Sequence, residues 1–350
     1  MFLVFVKRKG NSIKYKNMKR INLILLAFMA IFFGANAQPL ADAPTEAPDI
    51  TPADIPAIPQ KMWTKAEKQG TVEVFNYEVK RDGKTLKKHA RVYLPYGYNA
   101  KDKDKQYNVL YLMHGGGDNS TSFLTPPKDW LRLWDVLDHM IQDRQIAPLI
   151  VVTPTFYDDD ENIGANSMDD ATQRTMNFHK ELREFLIPAV EGKYNTYFLL
   201  HKSMKKVNDR IDVTRPHRAF GGFSMGALTT WYQLIFDCAA VKYYIPLSGD
   251  IWHFSADGKR DSYKQVAEWV NSEISKSFYK NSFKVFGYTG TDDIAGTPER
   301  NIVAALNAYA PVFRYNKPDA NLFFSMRQGG KHFYGDVNQY LYFALPLLWK

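Results

Sequence analysis

From residue 70 onward the sequence predicts an α/β fold with a mostly parallel central sheet, an antiparallel N-terminal edge and helices on both faces. Three observations carry this expectation. Short apolar runs alternate with longer helical patterns, the rhythm of parallel strands linked by crossover helices. Two strand-like runs at the start flank Asp82-Gly83, a dipeptide that supplies the positive φ of a tight hairpin. Polar, glycine-containing segments follow the ends of several strand patterns, where open α/β sheets place their ligands.

The hairpin strands are expected at Thr71–Lys80 and Leu86–Leu94. Further strands are expected at Val109–Met113, Leu149–Thr153, Arg218–Phe223, Tyr243–Leu247, Phe283–Tyr288 and Leu322–Met326. Between them, helical patterns cover Trp130–Ile141, Phe178–Val190, Ala227–Phe236, Tyr263–Ile274, Asn301–Tyr309 and Val337–Leu348. No internal repeat is visible.

The chain of 350 residues has a formal net charge of +8, which would suit an anionic partner if it were spread over the folded part. It is not. Seven basic side chains (Lys7, Arg8, Lys9, Lys14, Lys16, Lys19, Arg20) lie within residues 1–20 without an acid, which leaves a balance of about one positive charge beyond Ala37. A nucleic-acid partner is therefore not expected. The basic stretch runs into the apolar segment Ile21–Gly34 and then Ala35-Asn36-Ala37, a small-x-small cleavage pattern. Residues 1–37 read as an export signal, with Met18 an alternative start, so the mature chain is expected outside the cytoplasm and off the membrane. Residues 38–60 hold six prolines without apolar periodicity and read as an exposed linker, so the domain is expected over 61–350. Cys238 is the only cysteine, which excludes an internal disulfide framework.

Gly222-Phe223-Ser224-Met225-Gly226 has the G-x-S-x-G form of a nucleophile elbow, between a strand pattern and a helix pattern as that turn requires. A serine hydroxyl needs a base. His332, in Gly329-Gly330-Lys331-His332-Phe333 between the last strand and the last helix, is the expected base, with His253 a distant second. The base in turn needs an acid to hold its tautomer. Asp293, in Gly290-Thr291-Asp292-Asp293, is the preferred acid; its neighbour Asp292 and, after an earlier strand, Asp250 are the alternatives. The order Ser, Asp, His is that of α/β hydrolases. His114-Gly115-Gly116-Gly117 follows a strand and offers bare amides for a developing oxyanion, Gly116 ahead of Gly115, together with the Met225 amide. His114 itself reads as a structural hydrogen-bonding residue. No cluster has metal-ligand spacing and no phosphate-cradling loop is present, so no cofactor is expected.

The segments Leu110–Asp118 (LYLMHGGGD), Ala147–Thr155 (APLIVVTPT), Gly221–Gly226 (GGFSMG), Gly290–Asp293 (GTDD) and Gly329–Phe333 (GGKHF) together resemble the esterase D-like α/β hydrolases, and within them carbohydrate esterase family 1, the feruloyl and acetylxylan esterases. The resemblance spans roughly residues 70–350 and implies ester hydrolysis through an acyl-enzyme, with Ser224, Asp293 and His332 as the triad. Ala227 stands where many relatives have a second glycine. Asn119–Lys128 and Phe156–Gln173 are long polar segments with no counterpart in the resemblance. Trp252 and Tyr157 lie at the right end of the sheet to line a slot for an aromatic acyl group. The expected substrate is a feruloyl ester on plant cell-wall polysaccharide or on a released oligosaccharide. An acetylxylan esterase, a sugar acyltransferase and a non-catalytic carbohydrate-binding protein are the alternatives.

Overall fold

The computed structural model describes residues 50–158, 168–256, 258–315 and 317–350. The expected export signal and the first part of the proline-rich segment lie outside them. Among the described residues nine strands build one sheet: β1 (Ala53–Asp54), β2 (Thr71–Arg81), β3 (Lys84–Leu94), β4 (Asn108–Met113), β5 (Leu149–Thr153), β6 (Arg218–Phe223), β7 (Tyr243–Leu247), β8 (Lys284–Gly290) and β9 (Leu322–Arg327), in the order β1-β9-β8-β7-β6-β4-β5-β3-β2. All neighbouring pairs are parallel except β2 with β3 and β3 with β5, which form the antiparallel edge. The hairpin turns at Asp82 (φ 50°) and Gly83 (φ 73°).

Burial follows the strand's two-residue period. Val109, Tyr111 and Met113 of β4 enter one core, with Phe220 and Trp231; Leu110 and Leu112 enter the other, with Ile245 and Tyr340. Helices α1 (Leu133–Gln142) and α7 (Tyr334–Ala344) cover the second face. The first is covered by α2 (Met168–Glu181), α3 (Ile187–Lys193), α4 (Met225–Asp237), α5 (Tyr263–Ser275) and α6 (Gly296–Asn307). Strands between two helical layers are buried along almost their whole length, whereas edge strand β2 alternates and buries Phe75, Tyr77 and Val79 only. Buried Arg218 of β6 grips Glu191 of α3 with two bonds of 2.6 and 2.8 Å and so ties a helix to the central sheet.

Three departures from the sequence reading have local causes. Residues 50–60 are not an exposed linker: Ile50, Ile55 and Ile58 are buried, and β1 pairs with β9. The helix expected over Phe178–Val190 begins earlier, at Met168, and is interrupted by a π turn at Leu182–Leu186. Pro188 lies just beyond, and its ring and missing N–H disrupt the regular ladder one turn upstream. The last part of the polar segment Phe156–Gln173 therefore belongs to this helix, from Met168 on. The helix expected from Asn301 starts at Gly296, since Pro298 is tolerated in a first turn. Among the described residues no helix is long and apolar enough to cross a membrane.

Candidate active site

Strand β6 delivers Ser224 on a turn with φ 58° and ψ −115°, a left-handed conformation unfavourable for a residue with a side chain. The turn is held by its surroundings. The Ser224 N–H donates to the Leu247 carbonyl of β7 at 2.9 Å, and Gly226 passes so close to β4 that a Cβ would lie 2.2 Å from the Met113 carbonyl oxygen. The result points the Ser224 hydroxyl out of the sheet's carboxyl end, with the residue only 6 % exposed.

His332 reaches this hydroxyl from the loop between β9 and α7: its Nε2 lies 2.9 Å from Ser224 Oγ, and its Nδ1 lies 2.8 Å from Asp293 Oδ1. A carboxylate on Nδ1 accepts from that nitrogen, so Nδ1 carries the ring proton and Nε2 is left to accept from the serine. Phe223 packs against the imidazole with ring centroids 4.6 Å apart, which restrains its swing. The loops bearing acid and base touch backbone to backbone; a Cβ on Gly290 would fall 2.0 Å from the Gly330 oxygen. Asp293 Oδ1 also accepts the Ala295 N–H at 2.8 Å, and its side chain is wholly buried.

The alternatives are placed elsewhere. Asp292 is exposed beside Thr291. Asp250 is buried against the Arg260 guanidinium and accepts the Trp252 indole N–H at 3.0 Å. His253 pairs with Asp261 at 2.6 Å and stacks on Trp269, away from the serine relay.

The glycine loop after β4 comes alongside. The Gly115 N–H is bonded to the Tyr334 hydroxyl at 3.2 Å and the Gly117 N–H to the Tyr157 hydroxyl at 3.0 Å. Among the described residues the Gly116 N–H between them has no internal acceptor, nor has the Met225 N–H in the first turn of α4, where a helix offers none. The two residues are neighbours, since a Cβ on Gly116 would meet Met225 Sδ at 2.7 Å. Gly116 and Met225 are thus the pair of free donors beside Ser224. Gly115, ranked behind Gly116 from sequence, has its amide committed.

His114 has both ring nitrogens hydrogen-bonded. Its Nδ1–H donates to the Gly115 carbonyl at 2.7 Å, and its Nε2 accepts from the Thr155 hydroxyl at 2.8 Å. Tyr157, 3 % exposed, packs on His114 and Phe156 behind the glycine loop, so it buttresses that loop and does not line an open slot. Trp252 is half-buried, its indole fixed by Asp250 and overlain by the Arg260 guanidinium at 5.8 Å.

Three side chains without a role in the sequence reading border the site. The Tyr334 hydroxyl donates to Asp118 at 2.8 Å while accepting from Gly115, linking a carboxyl to the glycine loop. Burial raises the Asp118 carboxyl to about 6, against the opposing pull of the Tyr334 hydroxyl and the His332 charge. Glu299 of α6 is fully buried beneath the turn after β7 and accepts the Gly249 N–H at 3.2 Å; burial pushes its carboxyl well above the usual range. Glu299 falls on the same helix face as Ile302, Val303 and Leu306, so an acid on an apolar stripe was its sequence signal.

The chain matches the family model described as putative esterase over residues 86–271. It is 38% identical to endo-1,4-beta-xylanase Y of Acetivibrio thermocellus over 261 residues, which is 74% of this chain and 22% of that protein. It is 31% identical over 181 residues to an endo-1,4-beta-xylanase/feruloyl esterase of Xylanibacter ruminicola, which is 51% of this chain and 22% of that one. The chain thus spans about a fifth of the length of these two curated relatives. Among solved structures, the feruloyl esterase module from Clostridium thermocellum complexed with sinapinate is similar at a TM-score of 0.69 and 34% identity, over 85% of this chain and 95% of that one. A ferulic acid esterase from Anaeromyces mucronatus shares the fold at a TM-score of 0.61 and 18% identity, over 85% of this chain and 98% of that one. With a family model matching more than half of its length and a solved relative covered almost completely, this chain belongs to the esterase family of α/β hydrolases.

Proposed function

We propose that this chain is an exported serine esterase that hydrolyses feruloyl and related hydroxycinnamoyl esters of xylan through an acyl-enzyme on Ser224. The observation that carries the reading is the unbroken relay Ser224 Oγ, His332 Nε2, His332 Nδ1, Asp293 Oδ1, at 2.9 and 2.8 Å. As Ser224 Oγ attacks the ester carbonyl carbon, its proton passes to His332 Nε2, and the buried Asp293 carboxylate offsets the imidazolium charge. The carbonyl oxygen takes up negative charge and is met by the Gly116 and Met225 N–H groups. His332 then gives the proton to the departing sugar oxygen, which breaks the C–O bond and leaves the acyl group on Ser224. Water, deprotonated by His332, releases the acid and restores the serine.

The xylan ester is favoured by the xylanase names of the two relatives and by the sinapinate bound to the solved neighbour. A half-buried Trp252, held rigid at the carboxyl end of β7, suits an aromatic acyl group. Hydrolysis of methyl ferulate and of 4-nitrophenyl acetate, beside a Ser224→Ala control, tests the reading. Ferulate release lost in the control is the expected result. Turnover of acetate alone would reassign the chain as an acetylxylan-type esterase. Transfer to an added sugar in preference to water would make it an acyltransferase, and no Ser224-dependent turnover of either ester would remove the esterase reading.

A further inference from the structure

We propose that Trp130 and Phe333 form a stacking platform for the sugar that carries the ester, a subsite on the leaving-group side; this rests on the esterase reading above. Phe333 directly follows the base His332, and its ring lies 5.2 Å from that of Trp130, tilted by 51°. Both residues are 39 % exposed, whereas Phe223 and Tyr157 nearby are 5 % and 3 % exposed. Two large rings presented to water together, one of them on the residue that follows the base, are a surface that a ligand would cover favourably.

The pair is built before any ligand arrives. Phe333 is the N-cap of α7, and its carbonyl accepts the Asp336 and Val337 N–H groups at 3.0 and 3.1 Å. The Trp130 carbonyl accepts from the Asn338 amide at 2.8 Å, so one helix anchors both partners. Lys128 and Leu131 exchange backbone bonds of 3.2 and 2.9 Å and close the turn that carries Trp130. Gly335 leaves room for the rings, since a Cβ there would lie 2.7 Å from Phe333 Cε1 and 3.4 Å from Trp130 Cβ. A preorganised surface loses little entropy on binding.

The direction of proton transfer selects the occupant. His332 must hand its proton to the departing alkoxide oxygen, so the alcohol half of the ester lies on the histidine's side. In a feruloylated xylan that half is a pentose, whose ring presents a row of C–H groups suited to an aromatic face. The acyl ring is left for the other side of the serine.

The test compares a feruloylated arabinoxylan oligosaccharide with methyl ferulate, which lacks the sugar. In Trp130→Ala and Phe333→Ala the ratio of kcat/KM on the oligosaccharide to that on methyl ferulate should fall about tenfold, carried by KM. Trp130→Phe, which keeps a ring, should hold most of the ratio, and this guards against a general folding defect. An unchanged ratio in the alanine variants overturns the platform. If the wild-type chain hydrolyses neither ester, the esterase reading fails, and the platform is decided by tryptophan fluorescence on titration with the unesterified oligosaccharide. A response abolished in Trp130→Ala keeps it; no response overturns it.

Discussion

Glu191 and Glu299 are both sealed from solvent, and their surroundings are opposite. Glu191, far from the serine, has both oxygens taken by Arg218 and a further bond from the Tyr111 hydroxyl at 3.0 Å. Glu299, beside the active-site turn, accepts the Gly249 N–H; among the described residues it has no cation against it, and its Oε1 has no hydrogen-bond partner. A buried carboxylate matched by a guanidinium works as a staple between helix and sheet. One without a cation is driven toward its protonated form and supports the turn as a neutral group. Asp293 stands between these cases: wholly buried, it faces a cation only while His332 holds the serine's proton. The comparison teaches that burial alone does not set the state of a carboxyl in this fold; whether a cation is built in beside it does.

The largest effect should come from the acid whose partner charge is transient. Asp293→Asn is expected to lower kcat roughly 10⁴-fold, because the amide no longer holds the tautomer or the imidazolium, with little change in melting temperature. A loss of melting temperature comparable to that of a structural variant would break the distinction. Next comes the staple: Arg218→Ala should cost about 3–5 kcal/mol of stability by leaving Glu191 unpaired, while the folded fraction keeps its kcat. Denaturant unfolding and active-site titration separate the two quantities. For the carboxyl without a cation, Glu299→Gln should remain near wild type in stability and in pH profile, since the amide resembles the protonated acid. Glu299→Ala should lose about 1–3 kcal/mol through the orphaned Gly249 N–H. If Glu299→Gln instead behaves like the alanine variant, Glu299 is charged and the contrast with Glu191 collapses.

The smallest effect concerns Asp118. The folded chain holds this proton up to about pH 6, above the ordinary carboxyl range, so more protons are bound in the folded than in the unfolded state between those limits. Stability therefore falls as pH rises through that window. Asp118→Asn should remove this component of the slope in melting temperature measured between pH 4 and 7.

Much of this was legible in the sequence, for identifiable reasons. Strands β5, β6 and β7 match their expected limits because each is a short apolar run bounded by turn residues. Ser224 and His332, 2.9 Å apart in the structure, could be paired from the sequence because an elbow and a chain order constrain them jointly. The choice of Asp293 over Asp292 depends on which carboxyl turns inward to meet Ala295 N–H and His332, a rotation that adjacency alone does not specify. From its position after β5, Tyr157 is expected at a substrate wall; the structure buries it with its hydroxyl accepting from Gly117, a commitment that position does not reveal. The Tyr334 bridge to Asp118 joins residues 216 positions apart and has no local signal.

Strand β1 has a consequence beyond its two residues. Without it, β9 would end the sheet with a row of unpaired backbone donors and acceptors, a template on which a strand from another molecule could grow. Ala53 and Asp54 occupy that edge, Ile55 N–H bonds to the Met326 carbonyl at 3.3 Å, and the Tyr315 hydroxyl holds the Thr51 carbonyl at 2.8 Å. Pro52 and Pro56, on either side, have no N–H to offer an incoming strand. Residues 51–56 thus cover the β9 edge with backbone that offers a strand from another molecule few free donors.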